Sequence, residues 1–162
     1  MKGFTSTVAI ASLVLGMSYA HALDMQPGEW KMENTQMHVV DDVSGQVLMD
    51  QKKSGASTPL CYTEKMSEDA KKMKKGDSTS ANGCTVTFLE SSDTKLVNET
   101  ACTQEGTKTH SVVETVKVSD TEFAMTMKMS IDSPERKMTT TQTIKQTFVG
   151  KTCSAAASGT AK

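Results

Sequence analysis

The chain has 162 residues, with 18 Lys and Arg set against 19 Asp and Glu, a net charge of −1, and three histidines. A near-neutral chain with scattered charges leaves no electrostatic footprint for nucleic acid. Its length suits one domain with a real core, and with 4% aromatic residues that core must be filled by other side chains.

Residues 1–22, "MKGFTSTVAIASLVLGMSYAHA", hold one positive residue, Lys2, then a small and apolar run from Val8 to Met17, then Ala20-His21-Ala22. This is the layout of a secretory signal peptide with an A-x-A cleavage site. Ser12 and Gly16 interrupt the run, which falls short of the roughly 20 apolar residues of a membrane span. The expectation is cleavage after Ala22, a mature chain starting at Leu23, residence in the periplasm or outside the cell, and no membrane span afterwards. No Cys follows the cleavage point, as a lipoprotein would need. The mature chain then has 140 residues and a net charge of −2, because only the charge of Lys2 is lost.

Strand signals dominate the rest. In "PGEWKMENTQMHVV" (27–40), Trp30, Met32 and Asn34 alternate on one face, while Met37 and Val39 fall together after a change of phase; a bulge near Thr35 accounts for the shift. The turn "DDVSG" leads to a second strand, "QVLMDQK". After Pro59-Leu60-Cys61 comes the one helical stretch, "TEKMSEDAKKMKKG", with Thr63 as N-cap, Met66, Ala70 and Met73 on one face, and Gly76 at the C′ position. The basic cluster "KKMKK" (71–75) reads as its cationic last turn, which complements the helix dipole. "DSTSANG" reads as a loop. "THSVVETVKV" and "EFAMTMKMSI" form a hairpin around "SDT", and "KMTTTQTIKQTFV" is a long Thr-rich strand. Residues 154–162, "SAAASGTAK", have the composition of a disordered tail. The expected fold, over residues 23–153, is mainly β: about seven antiparallel strands curled into a barrel or half-barrel, with one short helix.

All four cysteines, Cys61, Cys84, Cys102 and Cys153, lie in the exported part, and an even count there suggests two disulfides. In "CTVTFLESSDTKLVNETAC" two strands, 84–90 and 96–102, flank the polar turn "SSDTK". A hairpin centred on Asp93 pairs residues whose numbers sum to 186, as 84 and 102 do. That puts Cys84 opposite Cys102 and leaves Cys61 for Cys153. No close Cys-x-x-Cys pair suggests a zinc-type site.

The chain resembles the domain-of-unknown-function family 3617, small exported bacterial proteins. The resemblance rests on "QPGEW", "LCYTEKMSEDA", "NGC", "AMTMKM" and the closing "GKTC", in that order over roughly residues 26–153. It departs from the family pattern at Tyr62, where Leu is more usual, and in a Lys-rich helix. The resemblance implies an exported, disulfide-bonded, mostly β domain, and it brings no activity and no catalytic residue.

Signals for catalysis are missing. There is no Gly-x-Ser-x-Gly elbow, no Gly-rich phosphate loop and no carboxylate pair set up for acid–base work, and His38 and His110 stand alone on strands. The expectation is a non-enzymatic domain with no cofactor and no nucleic-acid partner. Methionine is the unusual component: twelve in all, ten of them after residue 22. Met125, Met127 and Met129 share one strand face, with Thr126 and Lys128 turned the other way. Flexible thioethers fill irregular interiors well, so the stripe reads first as core. In a second reading it is a soft Cu(I) site using Met32, Met37, His38, Met125, Met127 and Met129. Residues along one strand are about 6.6 Å apart, though, too far for one strand to build a compact site. In a third, Trp30, Met125, Met127 and Met129 line a concave face for an apolar ligand or protein partner. A small envelope enzyme is the last alternative.

Overall fold

The computed structural model describes residues 23–52 and 57–158. The expected signal peptide, residues 1–22, lies outside them. In chain order the elements are β1 (Gly28–Asp41), β2 (Val47–Lys52), β3 (Ser57–Tyr62), α1 (Glu64–Lys72), β4 (Ser78–Ala81) and β5 (Cys84–Ser91). They continue with β6 (Lys95–Gln104), β7 (Thr107–Ser119), β8 (Glu122–Asp132), β9 (Lys137–Gly150) and α2 (Ala155–Ser158).

All the strands join one antiparallel sheet in the order β2-β1-β9-β8-β7-β6-β5-β4, and β3 lies beside the first half of β1. The long β1 thus carries two strands in tandem on one edge: β3 against residues 28–33 and β2 against residues 36–40. The expected mainly β antiparallel fold is present. The sheet is curled and open rather than closed into a barrel, because β2 and β4 end it without pairing to each other.

Local sequence explains most of the register. β1 and β9 pair Asn34 with Ile144 and then Gln36 with Thr143, so Thr35 is the extra residue of a bulge, at the expected position. Its hydroxyl donates to Thr143 O at 3.1 Å, which gives the displaced residue a partner across the strands. β5 and β6 hold the 186 register from Cys84–Cys102 to Phe88–Asn98, and then slip by one at Leu89. Both expected disulfides are formed, Cys84–Cys102 and Cys61–Cys153.

Two strands go beyond the seven that the sequence suggests. β4 lies within "DSTSANG", which reads as a loop; Asn82 and Gly83, at φ +52° and +76°, turn it back onto β5. Successive positive φ values at Asn-Gly are the geometry of a tight hairpin turn. β3 contains Pro59, which has no N–H to give a ladder, yet it is held along one side by β1 alone.

The helix begins as expected, with the Thr63 hydroxyl accepting from Met66 N at 3.2 Å. It buries Ala70 and half-buries Met66 and Met73. It stops at Lys72, four residues before Gly76, the expected C′ position, so Lys74 and Lys75 lie beyond the last turn. Gly76 instead donates its N–H to Phe88 O at 2.7 Å, which ties the post-helical chain to β5. The first five residues of the expected disordered tail are described, and of these 155–158 form one helical turn. Ala157 there is fully buried, and Ser154 N donates to Glu29 Oε2 at 2.6 Å.

Candidate functional site

Cross-strand partners point to the same face, so the register sorts every strand into an inner and an outer side. One inner row runs Met37, Gln142, Met127, Val113, Asn98, Phe88 across six strands. The next row runs Val39, Thr140, Met129, Ser111, Thr100, Val86. The outer side carries the charge pairs: Lys145–Glu122 at 2.7 Å, Lys95–Glu114 at 3.2 Å, and His110–Glu99 at 2.6 Å.

One end of the concave side is closed. Trp30, Phe123 and Phe148 meet there with ring centroids 5.2 Å apart in each contact. Leu23, Met25, Leu60, Tyr62, Phe88 and Leu96 complete this cluster, with Met66 of α1 and Met73 just after it packed against it. The Trp30 indole donates to Gln26 O at 3.1 Å, so the ring's polar edge is satisfied inside the core. Burial pushes the Tyr62 phenol up to about 12, and the Asp24 carboxylate adds to the shift. A second cluster, Val113, Met125, Met127 and Ile144, fills the middle, with Met32 packed against both clusters.

The other end is open. A cleft of about 630 Å³ lies against Cys102, Gln104, Glu105, Thr107 and Thr109, beside the Cys84–Cys102 bridge. Half-buried Met37, Val39, Met129 and Ile131 lie on the inner side of β1 and β8 toward this end, and Met49 of β2, opposite Val39, is 44% exposed. Between the two ends the inner side holds many neutral polar groups. Gln142 donates to Asn34 Oδ1 at 2.5 Å. Thr100 Oγ1, Ser111 Oγ, Thr115 Oγ1 and Gln146 Oε1 are buried without a hydrogen-bond partner among the described residues.

Trp30, Met125 and Met127 are therefore buried core residues, at 0%, 4% and 3% exposure, while Met129 is half-buried toward the open end. The copper set is divided. His38 pairs with Thr141 on the outer side and stands 3.7 Å from Asp50, whereas Met37 next to it faces inward. Met127 faces Gln142 and Val113 across its neighbouring strands, and Met125 faces Ile144 and Thr115, so neither stands directly opposite another thioether. No group of three or more His, Cys, Asp or Glu side chains that could hold a metal occurs among the described residues.

Fold and site together define a curled antiparallel sheet, stapled by two disulfides, closed at one end by aromatic packing and a short helix and open at the other. The chain belongs to the family described as "Protein of unknown function (DUF3617)", whose pattern matches residues 25–153. It is 57% identical to the protein named "Uncharacterized protein YtgA" of Salmonella typhimurium (strain LT2), over 159 residues and 98% of each chain. The protein of the same name from Salmonella typhi matches to the same extent. No solved structure matches.

Proposed function

We propose that this is an exported, non-enzymatic β domain that takes up a small, largely apolar molecule at the open end of its concave side. The observation that carries this reading is the contrast between the two ends. At one end aromatic rings fill the interior. At the other, Met37, Val39, Met129 and Ile131 remain half-covered on the inner side, and a cleft of about 630 Å³ lined by Cys102 and the polar Gln104, Glu105, Thr107 and Thr109 opens on the strand next to Ile131. Small-molecule sites of roughly this size combine apolar walls with a few polar groups; here the polar groups line the cleft and the apolar ones stand on the neighbouring strands. Thioethers suit such a role, since an unbranched, polarisable side chain adapts to ligands of different outline.

Two disulfides fit an oxidising compartment, and residues 1–22 supply the pattern of an export signal. No helix among the described residues is long and apolar enough to cross a membrane.

The test uses the environment-sensitive dye N-phenyl-1-naphthylamine with the purified mature protein. Its fluorescence rises on binding, and Met129→Lys, which puts a charge at the open end, lowers the dye affinity at least tenfold. Lys128→Glu, on the outer side of the same strand, leaves it unchanged. No dye response in the parent protein, or equal responses in both variants, overturns the proposal.

A further inference from the structure

Between its two ends the inner side carries neutral side chains, with Asp41, Glu105 and Lys117 only at the ends, and its hydrogen-bonding capacity is unspent at defined positions. Thr100 and Ser111 are direct partners across β6 and β7, 5% and 1% exposed, and neither hydroxyl has a hydrogen-bond partner among the described residues. Each lies two residues from the cleft along its own strand: Thr100 from Cys102, and Ser111 from Thr109. Residues two apart on a strand share a face, so this hydroxyl pair lies on the same side as the cleft, one step inward of its lining residues and covered. Thr115 and Gln146, 1% and 0% exposed, carry two further unpartnered oxygens nearer the closed end. Buried polar atoms are normally hydrogen-bonded, so four such atoms on one concave side form a pattern in need of a partner.

We infer that the molecule taken up here is an uncharged amphiphile, an alkyl or similar apolar body bearing a hydroxyl or carbonyl group, and that this group docks between Thr100 and Ser111. The inference rests on the reading of the concave side as a ligand site and adds the chemistry of the ligand. Two hydroxyls can donate to a carbonyl, or exchange donor and acceptor roles with a hydroxyl. A charged group seated between the two hydroxyls would have no counter-ion beside it, since Glu99 and His110, the charged side chains of β6 and β7 near the pair, face outward and bond each other at 2.6 Å, while Glu105 lines the cleft outside and Asp41 stands in the row of Thr109. An isolated charge in such surroundings is strongly disfavoured. The apolar body then lies along Met129, Ile131 and Val39, toward the open end.

Calorimetric titration of the mature protein with 1-decanol, decanoate and decyltrimethylammonium separates the cases. Decanol is expected to bind at least tenfold tighter than either ion. The double substitution Thr100→Val with Ser111→Ala should weaken decanol at least tenfold and leave the ions unchanged. The same variant should melt at or above the parent temperature, because replacing unpaired buried hydroxyls by apolar groups removes a desolvation penalty. Equal or tighter binding of either ion, or undiminished decanol binding by the variant, overturns the assignment while leaving the ligand site standing. A melting temperature several degrees lower also overturns it, because the hydroxyls would then already be satisfied by bound water. Failure of all three probes to bind removes the ligand site and this inference together.

Discussion

Met127 tests whether the methionine stripe is packed core. The side chain is 3% exposed, faces Val113 of β7 and Gln142 of β9, and packs in one cluster with Met125 and Ile144. Met127→Ala removes Cγ, Sδ and Cε. The walls around the gap are strands laddered on both sides, which resist collapse, so the cost falls in the upper part of the usual range, about 3–5 kcal/mol. Unfolding entropy near 2.1 cal/mol/K per residue gives roughly 0.3 kcal/mol/K for a mature chain of 140 residues, so Tm falls by about 10–17 °C. Met127→Leu keeps the volume and costs under about 1.5 kcal/mol, at most about 5 °C. Thermal unfolding followed by far-ultraviolet circular dichroism, with Cu(I) affinity measured in parallel, reads both variants. An Ala variant that melts within about 2 °C of the parent would falsify the packing described here. So would a tight Cu(I) affinity that disappears in the Leu variant.

The two disulfides should differ in what they contribute. Cys61–Cys153 spans a sequence separation of 92 and Cys84–Cys102 one of 18; by loop entropy, replacing the first pair by Ser costs about 4–5 kcal/mol and the second about 3. Denaturant midpoints give the order, and a larger loss at Cys84–Cys102 contradicts it. Tyr62 predicts alkaline behaviour: with its phenol raised to about 12, its neutral form stabilises the fold fully below the unfolded value near 10, and that stabilisation is lost as pH rises through 12. The loss amounts to roughly 2–3 kcal/mol, from about 1.36 kcal/mol per pKa unit. Tyr62→Phe should flatten this alkaline limb in urea titrations, and identical limbs in the two proteins would refute the assignment. For export, intact mass spectrometry of periplasmic protein is expected to give a chain starting at Leu23 with four hydrogens fewer than its reduced form; an N-terminus at Met1, or free thiols, contradicts it.

How far the sequence could be read depended on whether the deciding interaction was local. The bulge at Thr35, the Thr63 cap and the Cys84–Cys102 register all follow from neighbours within one strand pair or one helical turn. β4 was hidden because "STSA" has no apolar alternation, although the Asn82-Gly83 turn beside it was a usable signal. β3 was hidden by Pro59. The open edges could not be read, since closure depends on whether strands far apart in sequence meet. The orphaned hydroxyls were invisible for a sharper reason. "SVVETV" puts Val112 and Val116 on one face of β7 and Val113 on the other, so the pattern does not show which side is inner. Only the pairing of β7 with the Met-bearing face of β8 places Ser111 and Thr115 inside.

The position of β9 governs the order in which the protein can be made. The last strand lies between the first and the eighth, joined to β1 and β8 along nearly its full length. A growing chain can form the β4–β8 meander and the β1–β3 unit separately, but no strand pairing joins them until residues 137–150 arrive. Cys61 must likewise wait for Cys153. Assembly is thus deferred to the completed polypeptide, and the slow step is closing the separation between β1 and β9. A chain lacking residues 137–150 would present two partial sheets with exposed inner faces, and any factor that binds unfinished chains would meet those two surfaces first.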